Sequence, residues 1–245
     1  MSRLRLDELL VARGDYASRA RARDAILRGA IAIGGAVCTR PGQRIGADAI
    51  IAIADPAQHY VSRAALKLLH GLDGFAIDCT GLTALDLGAS TGGFTQVLLE
   101  RGAVHVTAID VGHGQLVAHL RDDPRVTVIE GLNARDLTIV HLNGAPQLIT
   151  ADVSFISLTL ALPPALGLAA AGARVVALIK PQFEAGRASL GKGGIVGNPD
   201  DHARACDSIA AFLDASGWRV LGVAPSPLAG GDGNLEFLIA AEKPC

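Results

Sequence analysis

The pattern of apolar and polar positions divides the chain into two parts near residue 60. From about residue 80, short apolar runs of strand length alternate with stretches in which apolar residues recur at helical spacing. Strands are predicted at 82–87, 104–110, 126–130, 148–152, 174–179, 218–224 and 237–241, and helices at 93–102, 115–121, 158–170 and 200–217. This alternation predicts an α/β fold with a mostly parallel seven-stranded sheet, whose ligands bind at the carboxyl ends of the strands.

The first 55 residues have a different pattern, which is typical of a small α+β module. Leucines at helical spacing predict a first helix that stops near Gly14, and Ser18 is placed to cap a second helix that ends near Gly29. A hairpin is predicted over residues 30–38 and a further short strand over residues 50–53. We therefore expect an N-terminal module at residues 1–55, a linker at 56–60 and a larger domain at 61–245.

Composition limits the class of protein. Half of the 245 residues are hydrophobic and 19% are charged, which suits a globular protein with one sizeable core and a small additional module. The four cysteines are too far apart in sequence to predict a metal site or a disulfide framework. The charged start of the chain leaves no apolar core for a signal peptide, and Pro163 and Pro164 interrupt the most apolar stretch. We expect a cytoplasmic protein with no membrane partner; the sequence gives no oligomeric state.

Positive charge is concentrated in the N-terminal module. Residues 1–55 contain nine arginines, no lysine and six acidic residues, whereas residues 56–245 carry an excess of negative charge. The planar guanidinium group can bind two phosphate oxygens, so this distribution predicts RNA binding. The alternative is an ordinary solvated helix face. The candidate RNA contacts are Arg3, Arg5, Arg19, Arg21, Arg23 and Arg28.

The loop after the first predicted strand carries the candidate cofactor residues. They are Asp86, Gly88, Ala89, Ser90, Thr91, Gly92, Gly93 and Phe94. The glycine spacing disfavours a dinucleotide loop, and the absence of a following lysine disfavours a phosphate loop. Asp86 can face the ammonium and sulfonium groups of a methyl donor, and Asp110 can bind both ribose hydroxyls. Asn133 follows the third strand, where it can contact adenine. These positions predict S-adenosylmethionine; the alternative is a tight turn with a hydrogen-bonded surface aspartate.

Four charged residues are placed to form a catalytic group. Lys67 precedes the first strand, Asp152 ends the fourth, Lys180 ends the fifth and Glu236 opens the last. A ribose 2′-hydroxyl is a weak acid, so a neutral lysine, favoured by burial or a second nearby cation, can take its proton. Asp152 would also balance charge near the sulfonium, and Glu236 would hold Lys67 or the ribose. Alternatively, each residue is a member of a surface ion pair.

Several stretches together resemble a known family. They are 5–10, 18–19, 28–31, 34–35, 40–42 and 45 in the N-terminal module, and 60–68, 86–95, 110–116, 152–158, 180–186, 191–196 and 230–237 in the larger domain. The first set resembles the small RNA-binding domain named after a protein of the small ribosomal subunit. The whole chain resembles the TlyA family, also called haemolysins, in which this domain precedes an FtsJ-like methyltransferase domain. Members usually have glycine where this chain has Ala64 and Ala65.

The resemblance implies a fold, a cofactor and a reaction. The fold would be the Rossmann-like class I methyltransferase fold, with Lys67, Asp152, Lys180 and Glu236 matching the family's Lys–Asp–Lys–Glu tetrad. The cofactor would be S-adenosylmethionine, with no metal. The reaction would be 2′-O-methylation of cytidine ribose in ribosomal RNA. Because the chain resembles the shorter members, RNA of the large subunit is the favoured substrate, and RNA of the small subunit stays an alternative.

Three other functions remain as alternatives. A pore-forming haemolysin would need a secretion signal, a spanning segment or a long amphipathic run, none of which the sequence predicts. A non-catalytic RNA-binding protein would not need the intact set of charged residues. A base methyltransferase usually carries Asn/Asp-Pro-Pro-aromatic or a catalytic cysteine after the fourth strand, where this chain has Asp152-Val153-Ser154-Phe155.

Overall fold

The structure, a computed structural model, describes residues 3–245 apart from the side chain of Arg187. The chain divides into two compact units, Met1–His59 and Tyr60–Cys245. The predicted linker lies across this boundary. Part of it is held by the first unit, because Arg21 donates hydrogen bonds to the backbone carbonyls of Ala57 and Gln58.

The N-terminal unit contains two helices and two small antiparallel sheets. Its elements are β1 (Arg3–Arg5), α1 (Leu6–Ala12), α2 (Arg19–Leu27), β2 (Ile31–Ile33), β3 (Ala36–Val37), β4 (Arg44–Gly46) and β5 (Ile51–Ile53). The predicted helices and hairpin are confirmed, and Ser18 caps α2 by accepting a hydrogen bond from the Arg21 backbone N–H. The β1–β4 pair was not predicted, because strands of only three residues are too short to show a pattern of alternating polar and apolar positions.

The second unit alternates strands and helices. Its elements are α3 (Ala64–Gly74), β6 (Thr83–Leu87), α4 (Gly93–Glu100), β7 (His105–Asp110), α5 (Ala118–Arg121), β8 (Val126–Glu130), β9 (Leu148–Ala151), α6 (Leu158–Ala161), α7 (Pro163–Leu168), β10 (Arg174–Ile179), α8 (Pro181–Glu184), α9 (Pro199–Ala215), β11 (Arg219–Pro225) and β12 (Phe237–Glu242). Short 3-10 turns lie at Ala134–Asp136, Ile139–His141, Arg187–Ser189 and Lys192–Gly194.

The seven strands of this unit form one sheet in the order β11-β12-β10-β9-β6-β7-β8. The five strands from β10 to β8 are parallel, and β12 runs antiparallel between β10 and β11. One buried core forms with α3 and α4 and a second with α6, α7 and α9, so both faces are covered. The predicted fold class is confirmed. Because Ile179 lies opposite Phe237, β12 starts at the edge where β10 ends.

Several helices of the second unit differ from the prediction. The single helix expected at 158–170 is wrong: α6 ends at Ala161 and α7 begins at Pro163, because proline lacks the N–H that a helix interior needs. Helix α5 begins at Ala118 rather than residue 115, because Glu130 accepts hydrogen bonds from backbone N–H groups of this segment and holds it as a loop. Helices α3 and α8 were not predicted.

No helix within residues 3–245 is both long enough and apolar enough to cross a bilayer.

Candidate active site

Two glycines let the loop between β6 and α4 approach its neighbours closely. Gly88 has a φ of 82°, and a Cβ atom there would lie 2.6 Å from the carbonyl oxygen of Asp152. Gly92 caps α4 with a φ of 102°, and a Cβ atom there would overlap the Leu120 side chain. Larger residues at these positions would push the loop away from β9 and α5.

Asp86 lies beneath this loop and not at its surface. Its carboxylate is fully buried and accepts hydrogen bonds from the hydroxyls of Thr95 at 2.7 Å and Thr150 at 3.1 Å. Burial raises the pKa of the Asp86 carboxyl to about 7, although both hydrogen bonds lower it. In this structure its carboxylate therefore ties β6 to α4 and β9, and its expected role toward a methyl donor stays a prediction.

A cavity of about 830 Å³ lies at the carboxyl ends of the parallel strands. Five of the predicted cofactor residues line it: Gly88, Ser90, Asp110, Asn133 and Asp152. The others do not belong to its lining, namely Asp86, Ala89, Thr91, Gly92, Gly93 and Phe94. Phe94, for example, is packed in the core against α3 and β6, because the first turn of α4 points its side chain inward.

Asp110 joins two loops at the cavity wall. One carboxylate oxygen accepts a hydrogen bond from the Ser90 N–H at 2.8 Å, and the other accepts one from the Gly112 N–H at 2.7 Å. Each oxygen has a further lone pair, so the carboxylate can also accept from two ligand hydroxyls. Asn133 uses its side-chain oxygen to accept from the Arg135 N–H at 3.1 Å, as a cap of the following turn.

Glu130, at the end of β8, shapes the same wall but was not predicted. It accepts hydrogen bonds from the N–H groups of Gly114 at 2.8 Å and Gln115 at 3.0 Å, and it pairs with Arg121. These bonds, the one from Gly114 first, lower the pKa of the Glu130 carboxyl to about 2. The available signal was its position: an acidic residue ends this strand just as Asp110 ends the strand beside it.

The four predicted catalytic residues form two ion pairs. Lys67, on α3, places its Nζ 2.6 Å from Oε2 of Glu236, and both side chains are almost fully buried. The Nζ of Lys180 lies 2.6 Å from Oδ1 of Asp152 and donates a 2.8 Å hydrogen bond to the Ser154 hydroxyl. Lys180 directly follows β10 and Glu236 directly precedes β12, next to the paired residues Ile179 and Phe237. Both ion pairs therefore belong to the edge of the sheet where β10 ends.

Two further contacts join the segment after β9 to helix α8. Glu184 accepts hydrogen bonds from the Ser157 hydroxyl at 2.5 Å and the Leu158 N–H at 2.9 Å. The rings of Phe155 and Phe183 lie 5.3 Å apart, centre to centre. The segment that carries Asp152 and Ser154 is therefore fixed to the helix that follows Lys180.

Phe155 is an exposed aromatic residue in an uncommon backbone conformation. Its side chain is 92% exposed at the cavity rim, and its φ is 63°, in the left-handed region. Sequence reasoning did not select Phe155. An aromatic residue in a loop that directly follows a candidate catalytic aspartate was the signal that could have found it.

The predicted RNA-binding arginines fall into two groups. Arg28 is largely buried between Asp24 and Asp55, and Arg5 and Arg19 both pair with the buried Asp7. Arg21 donates to backbone carbonyls at residues 57 and 58. Arg3 and Arg23 are exposed and have no ion-pair partner within residues 3–245. The structure thus leaves Arg3 and Arg23 with the most freedom to contact a phosphate.

Both units match known protein families. Residues 60–243 match the FtsJ-like methyltransferase model, and residues 4–51 match the S4 domain model. A relative from Mycobacterium tuberculosis, named 16S/23S rRNA (cytidine-2'-O)-methyltransferase TlyA, is 45% identical over 97% of this chain and 89% of its own length. The chain belongs to the TlyA family. The predicted family is therefore confirmed.

Other TlyA family relatives carry a different name. A Brachyspira hyodysenteriae protein named Hemolysin A is 39% identical over 96% of this chain and 98% of its own length. A solved structure from Streptococcus thermophilus, provisionally named a hemolysin, is 39% identical with a TM-score of 0.78, covering 100% of this chain and 90% of that one. The two names therefore occur among relatives that match almost the whole of this chain.

Proposed function

We propose that this TlyA family member transfers a methyl group from S-adenosylmethionine to the ribose 2′-hydroxyl of a cytidine in ribosomal RNA. One observation carries the proposal: two lysine–carboxylate pairs lie at the carboxyl edge of a methyltransferase sheet, and Asp152 of one pair also lines the cavity. The cytidine and the ribosomal RNA come from the name of the Mycobacterium tuberculosis relative. The place of action would be the cytoplasm, and large-subunit RNA the first substrate to test.

The cavity fits the donor in size and chemistry. A volume of about 830 Å³ suits a nucleoside-sized ligand. Gly88 offers a backbone without a side chain, and Asp110 ends the strand next to it, where a carboxylate can hold both ribose hydroxyls. Asn133 and the apolar Leu132 line the wall available to adenine, and Asp152 would face the positively charged part of the donor.

S-adenosylmethionine, when bound, supplies a methyl group on a sulfonium, and transfer of this group to a hydroxyl leaves a neutral thioether and one proton. Lys180, in its neutral form, would accept that proton, because its Nζ lies between Asp152 and Ser154 next to the cavity wall. The buried Lys67–Glu236 pair would keep this edge of the site rigid, and in-line alignment of the hydroxyl, the methyl group and sulfur would provide most of the rate gain.

The acceptor nucleotide would be held by its base as well as its ribose. Phe155 presents an exposed ring at the cavity rim, supported from one side by Phe183. A nucleobase can stack on such a ring when the nucleotide is turned out of its helix. An energetically unfavourable backbone conformation such as that of Phe155 is kept where the surrounding structure fixes it, often at a functional site.

The proposal is tested by incubating the full chain with isotopically labelled donor and, separately, with each purified ribosomal subunit and its naked RNA. Mass spectrometry of the digested nucleosides should find label as 2′-O-methylcytidine. Label on a nucleobase, or on the ribose of another nucleoside alone, would contradict the proposed reaction. Lys180→Ala serves as the inactive control, and Lys192→Ala, on an exposed turn, controls for loss of a lysine.

A further inference from the structure

The Ser154 hydroxyl accepts a hydrogen bond from Lys180, so it can orient this lysine as well as contact a ligand. The Nζ of Lys180 has two partners, Oδ1 of Asp152 at 2.6 Å and Oγ of Ser154 at 2.8 Å. Ser154 also belongs to the cavity lining, so this hydrogen bond holds the Nζ of Lys180 beside the space where the substrates would meet.

Two hydrogen-bond acceptors suffice to fix the orientation of a neutral lysine amine that accepts a proton. A neutral amine has two N–H donors and one lone pair, and only the lone pair can take a proton. If a single carboxylate held the amine, rotation about the Cε–Nζ bond would leave the lone pair free to point in several directions. With two fixed acceptors, both N–H groups are engaged and the lone pair has one direction left.

We propose that Ser154 is a positioning residue that orients the lone pair of neutral Lys180 toward the ribose hydroxyl. This inference rests on the proposed function. As the hydroxyl oxygen bonds the methyl carbon, the carbon–sulfur electron pair stays with sulfur and the hydroxyl proton passes to Nζ, which becomes an ammonium. The contacts of Glu184 and Phe183 with this segment keep Ser154 in place before the substrates bind.

Ser154→Ala removes the second acceptor and leaves Asp152 unchanged. Single-turnover methyl transfer by this variant should slow about tenfold, the effect of one ordinary hydrogen bond. The affinities for S-adenosylmethionine and RNA should stay within about twofold, because no substrate contact is removed. Ser154→Thr, which keeps the hydroxyl, should remain within about threefold of the wild-type rate. Ser208→Ala, on the exposed side of α9, is the matched control.

The pH profile separates orientation from a simple change in charge. If Ser154 orients the lone pair, wild type and Ser154→Ala should give parallel profiles of rate against pH, with the same loss at every pH measured. Profiles that converge as the pH rises, a threonine variant as slow as the alanine variant, or a wild-type rate in Ser154→Ala would each overturn the inference. If the wild-type chain methylates no ribose, the proposed function itself fails, which is a different outcome.

A spectroscopic measurement tests the same contact without turnover. The chain has only four lysines, so the Nζ signal of Lys180 can be assigned in protein labelled with 15N-lysine by comparison with Lys180→Ala. An ammonium held by two acceptors should give a narrow signal that exchanges slowly with water. Ser154→Ala should broaden this signal or abolish it, and should leave the signal of Lys67 unchanged. An unaltered Lys180 signal would contradict the positioning role.

Discussion

The two lysine–carboxylate pairs have the same chemistry and the same length but differ in their access to the cavity. Lys67 and Glu236 lie 2.6 Å apart with side chains that are 6% and 3% exposed. Lys180 and Asp152 also lie 2.6 Å apart, but Asp152 is 16% exposed and lines the cavity, and Ser154 provides a second acceptor. We call Lys67–Glu236 the sealed pair and Lys180–Asp152 the open pair. The sealed pair fixes charge and geometry, so we expect it to matter more for stability. The open pair can exchange a proton with a ligand in the cavity, so we expect it to matter more for turnover.

The largest expected effect is on catalysis by the open pair. Lys180→Ala should lower single-turnover methyl transfer about 10³-fold, because it removes the proton acceptor. Donor affinity, measured by calorimetry, should change less than about threefold, since Lys180 does not line the cavity. If Lys180→Ala turned over normally while Lys67→Ala did not, the roles of the two pairs would be reversed.

The sealed pair should dominate stability. Glu236→Ala leaves the Lys67 ammonium buried without its carboxylate, which should lower the free energy of unfolding by about 3–5 kcal/mol in chemical denaturation. Asp152→Ala should cost less, because the Lys180 ammonium keeps Ser154 and borders the cavity. The double variant Lys67→Met with Glu236→Leu should recover most of the stability without recovering activity. Equal losses for Glu236→Ala and Asp152→Ala would contradict the contrast.

The two aspartates near the donor cavity extend the comparison to single carboxyl groups. The folded-state pKa of the Asp86 carboxyl, about 7, lies above its unfolded value. At a pH between these two values, the Asp86 carboxyl holds a proton in the folded state and has lost it in the unfolded state. Asp86 therefore makes the wild-type chain less stable as pH rises from about 4 to 7, by at most about 1.4 kcal/mol per pH unit.

Denaturation of wild type and Asp86→Asn across this pH range isolates that contribution, because other groups cancel in the difference. The wild-type chain should lose stability relative to the variant as pH rises, and the difference should level off above about pH 7. Asp110→Asn is the matched control: it lies at the cavity wall and should weaken donor binding instead. A pH-independent difference between wild type and Asp86→Asn would contradict the raised pKa.

The smallest expected effect concerns the arginines of the N-terminal unit. Arg23→Ala should weaken RNA binding by less than about tenfold and reduce the salt dependence of the binding constant by about one charge. Arg28→Ala should instead destabilise the unit, because Asp24 and Asp55 lose their partner. Salt titrations of RNA affinity, paired with thermal denaturation, separate the two outcomes. An Arg28→Ala variant with normal stability and a reduced salt slope would contradict this division.

The fold was readable from the sequence, because each of the seven strands is an apolar run bounded by polar or glycine residues. The position of the glycine-rich loop between β6 and α4 could also be predicted, because it joins the first strand to a helix with glycines at the turn. Helix α3 was missed although Ala65, Leu68 and Leu72 have helical spacing and pack in the core. The sequence segment lacks a recognisable cap, as no side chain caps this helix.

The partners of the charged side chains were not readable. Asp86 is the next-to-last residue of β6 and Asp110 is the last residue of β7, yet Asp86 is fully buried and Asp110 lines the cavity. The difference depends on Thr150, whose hydroxyl comes from a strand that is distant in sequence. Likewise, the sequence did not predict whether Glu236 contacts Lys67 or the ribose. In the structure, α3 places Lys67 beside Glu236. Such choices depend on side-chain directions across the sheet, which periodicity does not encode.

The position of β12 also has a consequence for the order of folding. Lys67 and Glu236 are 169 residues apart, and β12 inserts between β10 and β11 instead of adding at the edge of the sheet. A contact of such long sequence separation forms late, because a large loop must close before the contact can stabilise it. A partly folded chain therefore holds a lysine without its carboxylate. The site is complete only after β12 has paired with β10 and β11. Methyl transfer therefore requires the whole sheet to be assembled.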